Sequence, residues 1–124
     1  MAKHILIVDD EPLVSKTLVK LLQKQGFIAE VAESGEDALD VIKKDDFDLI
    51  ITDVRMPGMD GVEMIKKIRE YRKHAGKPAV PEIMITGYAD IDKYEAAMKL
   101  KVKEYMYKPF DNRKFLDIVH KILD

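Results

Sequence analysis

The chain reads as one open α/β domain, a doubly wound five-stranded parallel sheet of strand order 2-1-3-4-5 with helices on both faces. Three observations predict this. Short apolar, β-branched runs alternate five times with amphipathic segments of helical period. The runs are nearly continuous in apolar residues rather than alternating, as strands covered on both faces are. Parallel neighbours joined by right-handed crossovers leave few other arrangements.

Each element has its own signal. His4 to Val8 is the first strand and runs into Asp9-Asp10. Pro12 suits a first helical turn, Leu13, Thr17, Leu18, Leu21 and Leu22 follow at helical spacing, and Gly26 closes that helix. Phe27 to Ala32 is the second strand. Ser34 is a helix N-cap ahead of Ala38, Leu39, Val41 and Ile42. Phe47 to Thr52 is the third strand, ending at Asp53. The turn-rich segment from Met56 to Gly61 leads into a third helix carrying Val62, Met64, Ile65 and Ile68. Gly76, Pro78 and Pro81 mark a loop. Ile83 to Thr86 is the fourth strand and Ile91 to Leu100 the fourth helix. Val102 to Tyr107 is the fifth strand, stopped by Lys108-Pro109, and Asp111 caps a last helix bearing Phe115, Leu116, Ile118, Val119 and Ile122.

Bulk properties narrow the function. A length of 124 residues fits a single domain spanning residues 1–124. With no cysteine, disulfide, zinc-thiolate and thiol chemistry are excluded. A net charge of -2, with the signs interspersed, gives no general field for nucleic acid or anionic membrane. No apolar run approaches the ~20 residues of a membrane span, and the first strand is too short for a signal-peptide core. A cytoplasmic protein is expected.

Functional crevices of such sheets lie beyond the carboxyl ends of the strands, at the switch point between strands one and three. Those strands end in Asp9-Asp10 and Asp53. Three converging carboxylates repel one another, and a hard divalent cation such as Mg²⁺ relieves the conflict. Strands four and five end at Thr86 and Lys108, a hydroxyl and an ammonium suited to phosphoryl oxygens. Taken singly, each has a plainer role: a cap for Asp9 or Asp10, a turn for Asp53, a solvated surface for Lys108. Their coincidence at four of five strand ends favours one phosphate-metal site.

The residues Ile7-Val8-Asp9-Asp10-Glu11, Ile51-Thr52-Asp53 through Asp60-Gly61, Ile85-Thr86-Gly87 and Tyr105 to Phe110 resemble, in order and on the right elements, the receiver domains of two-component response regulators (CheY-like, flavodoxin-like fold). The resemblance implies that Asp53 is the phosphoacceptor. It implies that Asp9, Asp10, Asp53 and the main-chain carbonyl of Arg55 hold Mg²⁺. Thr86 and Lys108 would contact the phosphoryl group, and Tyr105 would change rotamer with Thr86. Pro109 would follow a cis peptide. The donor would be a sensor histidine kinase or a phosphotransfer protein, and the receiver would promote its own phosphorylation and dephosphorylation without being an enzyme for other substrates. The output surface would surround helix 4, strand 5 and helix 5. An effector domain or output partner is implied but not named, and phosphorylation-dependent homodimerisation is left open.

Some positions depart from the family pattern. Gly87 stands where Ala or Ser is frequent; with Arg55 and Tyr88 it would form the rim of the phosphoryl site and affect hydrolysis. Lys101 occupies a place often taken by Gly, so a different local backbone is expected there. Arg72, Lys73 and Lys77 read as a solvated cluster, His4, His74 and His120 lack metal-ligand spacing, and the methionines read mostly as core filler.

Other functions fit less well. A flavodoxin-like cofactor binder would want a Gly/Ser/Thr-rich first loop, and a P-loop nucleotidase lacks its motif here. The D-x-D of aspartyl-phosphate phosphatases is absent at Asp53-Val54-Arg55. The remaining alternative is a phosphorylation-independent pseudo-receiver.

Overall fold

The computed structural model describes residues 2–87 and 91–124. Strands β1 (His4–Val8), β2 (Ile28–Ala32), β3 (Leu49–Asp53), β4 (Glu82–Thr86) and β5 (Glu104–Tyr107) form one sheet in order β2-β1-β3-β4-β5, all neighbours parallel. Between and after them run α1 (Pro12–Lys24), α2 (Gly35–Lys44), α3 (Gly61–His74), α4 (Ile91–Leu100) and α5 (Asn112–Leu123). Architecture and order are those the sequence predicts.

Strand alternation splits the core into two layers. Leu6, Ile50 and Met84 face one side with Ala38, Ile42, Met64, Ile65 and Ala97 from α2, α3 and α4. Ile5, Ile7, Leu49, Ile51, Ile83 and Ile85 face the other with Leu18, Leu22, Phe115 and Val119 from α1 and α5. Met56, Met64, Met84 and Met106 are buried in these layers, whereas Met98 lies on the exposed side of α4.

Three strands start later than the apolar runs do, each for a local reason. The Phe27 N–H is spent on the Leu22 carbonyl in closing α1, and the Asp48 N–H on the His4 carbonyl. Val102 belongs to the turn that closes α4, its N–H bonded to the Ala97 carbonyl. The caps are as expected: Ser34, Asp60 and Asp111 accept the N–H of the residue three places on, and Pro12 opens α1.

Two expectations are corrected. Arg72 is not part of a solvated cluster. It is 5 % exposed, donates from Nε to the Pro78 carbonyl at 2.8 Å, and reaches Asp46 at 3.5 Å. The long loop after α3 needs a donor for a carbonyl that faces inward, and the guanidinium fork supplies it. The backbone at Lys101 does not depart from the glycine-type turn. Lys101 has φ 58° and closes α4 with the Lys101 N–H on Met98 and the Val102 N–H on Ala97. That is the paired-bond helix stop normally given to glycine; burial of Ala97 and Val102 in one apolar cluster holds it in place.

Candidate functional site

The register aligns the chemistry. Val8 pairs with Thr52, Asp53 with Ile85, and Thr86 with Tyr107, so residues 9, 53, 86 and 108 end up side by side at the carboxyl edge of the sheet. Asp9 and Asp53 are buried and Asp10 is exposed, and one carboxylate oxygen from each lies within 4.8 Å of the other two. A Mg²⁺ ion, with short Mg–O bonds and retained waters, fits such a donor set.

The two buried carboxylates, Asp9 and Asp53, are held. The Glu11 N–H donates to Asp9 Oδ1 at 2.8 Å, fixing Asp9 at the entrance to α1. The Arg55 N–H donates to Asp53 Oδ1 at 3.3 Å. Lys108 Nζ lies 2.9 Å from Asp53 Oδ2, 3.4 Å from Asp9 Oδ2 and 3.4 Å from Glu11 Oε1. The Lys108 N–H bonds the Thr86 carbonyl at 2.8 Å, and the Lys108-Pro109 peptide is cis, as expected from the resemblance.

Electrostatics follow from this crowding. Burial pushes the Asp9 carboxyl up, only partly offset by the Glu11 N–H and by Lys108, and Asp53 adds repulsion. Burial alone would lower the Lys108 ammonium, but its bond to Asp53 and the charges of Asp53, Asp9 and Glu11 outweigh it, and the net shift is upward. The pocket thus holds a fixed cation beside an excess of acid.

The cleft above, of about 610 Å³, is lined by Asp10, Asp53, Arg55, Gly87 and Lys108, among others. A Cβ placed on Gly87 would meet nothing within 4 Å, so this side of the rim is open. Arg55, which also lines the cleft, is exposed. Tyr88, the third predicted rim residue, lies outside the described residues. Thr86 is buried at the end of β4. Tyr105 does not line the cleft: its ring stands edge-on to Tyr94 of α4, with centroids 5.2 Å apart.

Two contributors were not singled out from sequence. Gly61 lets α3 start directly against the end of β3: a Cβ there would fall 2.2 Å from the Asp53 carbonyl oxygen. Only glycine permits that approach; its signal was the Asp60-Gly61 pair, read as a turn and as part of the family motif but given no role of its own. Glu11 is the second, a further acid on Lys108.

The fold and this acid-lysine constellation define a doubly wound α/β domain with an acidic pocket at its switch point. Residues 5–120 match the response regulator receiver domain family model, and the chain belongs to that family. It is 32% identical over 123 residues to the sporulation initiation phosphotransferase F of Bacillus subtilis, covering 99% of this chain and 95% of that protein. It is 34% identical over 119 residues to the response regulator protein FleR of Pseudomonas aeruginosa, covering 96% of this chain but only 24% of the relative. The chain thus spans about a quarter of the length of FleR, and 23% of the Escherichia coli transcriptional regulatory protein ZraR. A CheY-like receiver from Methanospirillum hungatei JF-1 superposes with a TM-score of 0.90 at 28% identity, covering 100% of this chain and 95% of that one. Chemotaxis protein CheY4 of Vibrio cholerae superposes with a TM-score of 0.87 at 28% identity, covering 99% and 100%. Among the described residues, no helix is long and apolar enough to cross a membrane.

Proposed function

We propose that the whole chain, residues 1–124, acts as a phosphoacceptor switch in which Asp53 takes a phosphoryl group from the phosphohistidine of a sensor kinase or phosphotransfer protein. The observation that carries this reading is Lys108 Nζ at 2.9 Å from Asp53 Oδ2, beside the close-set carboxylates of Asp9 and Asp10. The Asp53 oxygen attacks phosphorus, the P–N bond to imidazole breaks, and an acyl phosphate forms on Asp53. Lys108 is already charged and aimed at the acceptor carboxylate, so it offsets charge on the transferred oxygens without reorganising. Asp9, Asp10, Asp53 and the Arg55 main-chain carbonyl would hold Mg²⁺, which supplies neutralisation of the phosphoryl charge and relief of carboxylate repulsion. Water attack on the acyl phosphate restores Asp53, with Arg55, Gly87 and Tyr88 controlling access.

The signal leaves through packing. Thr86 turns its hydroxyl to the new phosphoryl oxygens, and Tyr105, which faces the same helical layer, repacks against Tyr94 on α4. The output surface comprises α4, β5 and α5, which offers Ile91, Tyr94, Met98 and Tyr107 to a partner, an effector domain or a second copy. Incubation with acetyl phosphate or beryllofluoride plus Mg²⁺ tests the reading. Intact-mass and NMR analysis should place one adduct on Asp53 and none in Asp53→Asn. A folded sample that forms no adduct identifies a phosphorylation-independent pseudo-receiver instead.

A further inference from the structure

The opposite, amino-terminal edge of the sheet carries a second cleft. It opens between α3, the start of β4, the turn after α4, and α5, and encloses about 570 Å³. That volume is typical of small-molecule sites, which span roughly 300–1,000 Å³. A five-residue strand, about 16 Å long, separates it from Asp53.

Its lining has two parts. Pro81, Ile118 and Ile122 form an apolar side. Arg69, Lys101, Lys103 and Lys121 contribute four cations, against the acids Glu82 and Glu104. Glu82 is committed elsewhere: it is 3 % exposed and takes both prongs of the Arg69 guanidinium at 2.9 and 2.7 Å. Three lysines therefore face one remaining acid, in a chain whose overall net charge is -2. The excess of positive charge is local.

Lys101 adds an independent observation. It holds φ 58° in a turn that glycine would make without strain. A lysine is carried there at a conformational cost, and it is one of the residues lining this cleft. Strained backbone kept at the lip of a cavity points to a role for the side chain rather than the turn.

We propose that this cleft is a second ligand site, for an organic anion of about mononucleotide size. The anionic group would sit against Lys101 and Lys103, and an apolar or aromatic body would lie on Pro81, Ile118 and Ile122. The site is separate from the phosphoacceptor reading and stands or falls without it.

An NMR titration of the ¹⁵N-labelled full chain with AMP, phenyl phosphate and inorganic phosphate tests this. Saturable shifts are expected at residues 79–82, 101–104 and 118–122 with at least one organic phosphate at millimolar concentration or below. Inorganic phosphate should bind about tenfold or more weakly, since it lacks the apolar body. Lys101→Gly and Lys103→Ala should each weaken binding severalfold while leaving the thermal midpoint unchanged or, for Lys101→Gly, raised. Four results overturn the proposal: no saturation by either organic phosphate, shifts confined to the Asp53 cleft, equal affinity for inorganic phosphate, or binding indifferent to both variants. Saturation by a polyglutamate peptide but by neither organic phosphate assigns the face to an acidic protein partner and likewise overturns it.

Discussion

Lys101 and Arg72 show how far a single residue's setting departs from its type. A non-glycine residue in the left-handed region costs roughly 1–2 kcal/mol, and nothing in the hydrogen bonding of the Lys101 turn requires a side chain. Lys101→Gly is therefore expected to raise stability by about 1 kcal/mol in urea denaturation; a loss would show that the lysine supports the fold. Arg72 is the converse case. Its head satisfies the Pro78 carbonyl from a buried position, while its acidic neighbour Asp46 is exposed. Arg72→Ala should cost about 1.5–3 kcal/mol, since a hydrogen bond from a charged donor and the packed stem are both lost. Asp46→Ala should cost clearly less than Arg72→Ala, because an ion pair with so exposed a carboxylate contributes little. Equal losses in the two urea curves would mean that the ion pair, not the bond to Pro78, matters.

Between elements, one ion pair ties three of them together. Arg69 on α3 binds Glu82 at the start of β4 and donates from Nη1 to the Leu100 carbonyl at the end of α4. Glu82 is almost wholly buried, and Arg69 is about one-third exposed. Arg69→Met should destabilise by about 2–4 kcal/mol, because it leaves a buried carboxylate without its cation. Arg69→Met combined with Glu82→Leu should recover most of that loss; additive losses in the cycle would show the two residues act independently. The elements themselves were legible in the sequence because period and punctuation agreed at nearly every one. Their boundaries were less so, because a backbone N–H such as that of Phe27 or Val102 can be spent on closing the preceding helix instead of joining the ladder. Arg72 was misread because charge suggested solvent, and only the path of the loop after α3 shows a carbonyl that needs it. Gly61 carried the right residue type but no sign of its reason: contact between α3 and the end of β3 depends on tertiary approach.

Across the whole molecule, charge is segregated along the strand direction. Acids gather at the carboxyl ends of the strands and cations around the cleft at the amino ends. The acidic cluster is legible from strand order alone, since any 2-1-3-4-5 sheet ending in these residues must juxtapose them. What strand order does not contain is the state of the pocket without a cation. Burial raises the Asp9 carboxyl, so the folded chain holds a proton above pH 3.8 where the unfolded chain has released it. Stability therefore falls as pH climbs above 3.8 toward the raised folded value, and the deprotonated pocket carries the penalty. Lys108, raised by its acidic partners despite burial, stabilises the fold below pH 10.5, and that gain is lost as pH rises through its folded value. At pH 7 with a chelator, Asp9→Asn should accordingly be more stable than the wild type by about 0.5–2 kcal/mol, as relief of a functional site's strain commonly is. Adding Mg²⁺ at a hundredfold excess over its dissociation constant should stabilise the wild type by about 2.7 kcal/mol and the variant by much less, closing or reversing the gap. Urea midpoints with and without Mg²⁺ decide it. If Asp9→Asn is the less stable protein in chelator, the carboxylates are a structural network and not a pocket waiting for a cation.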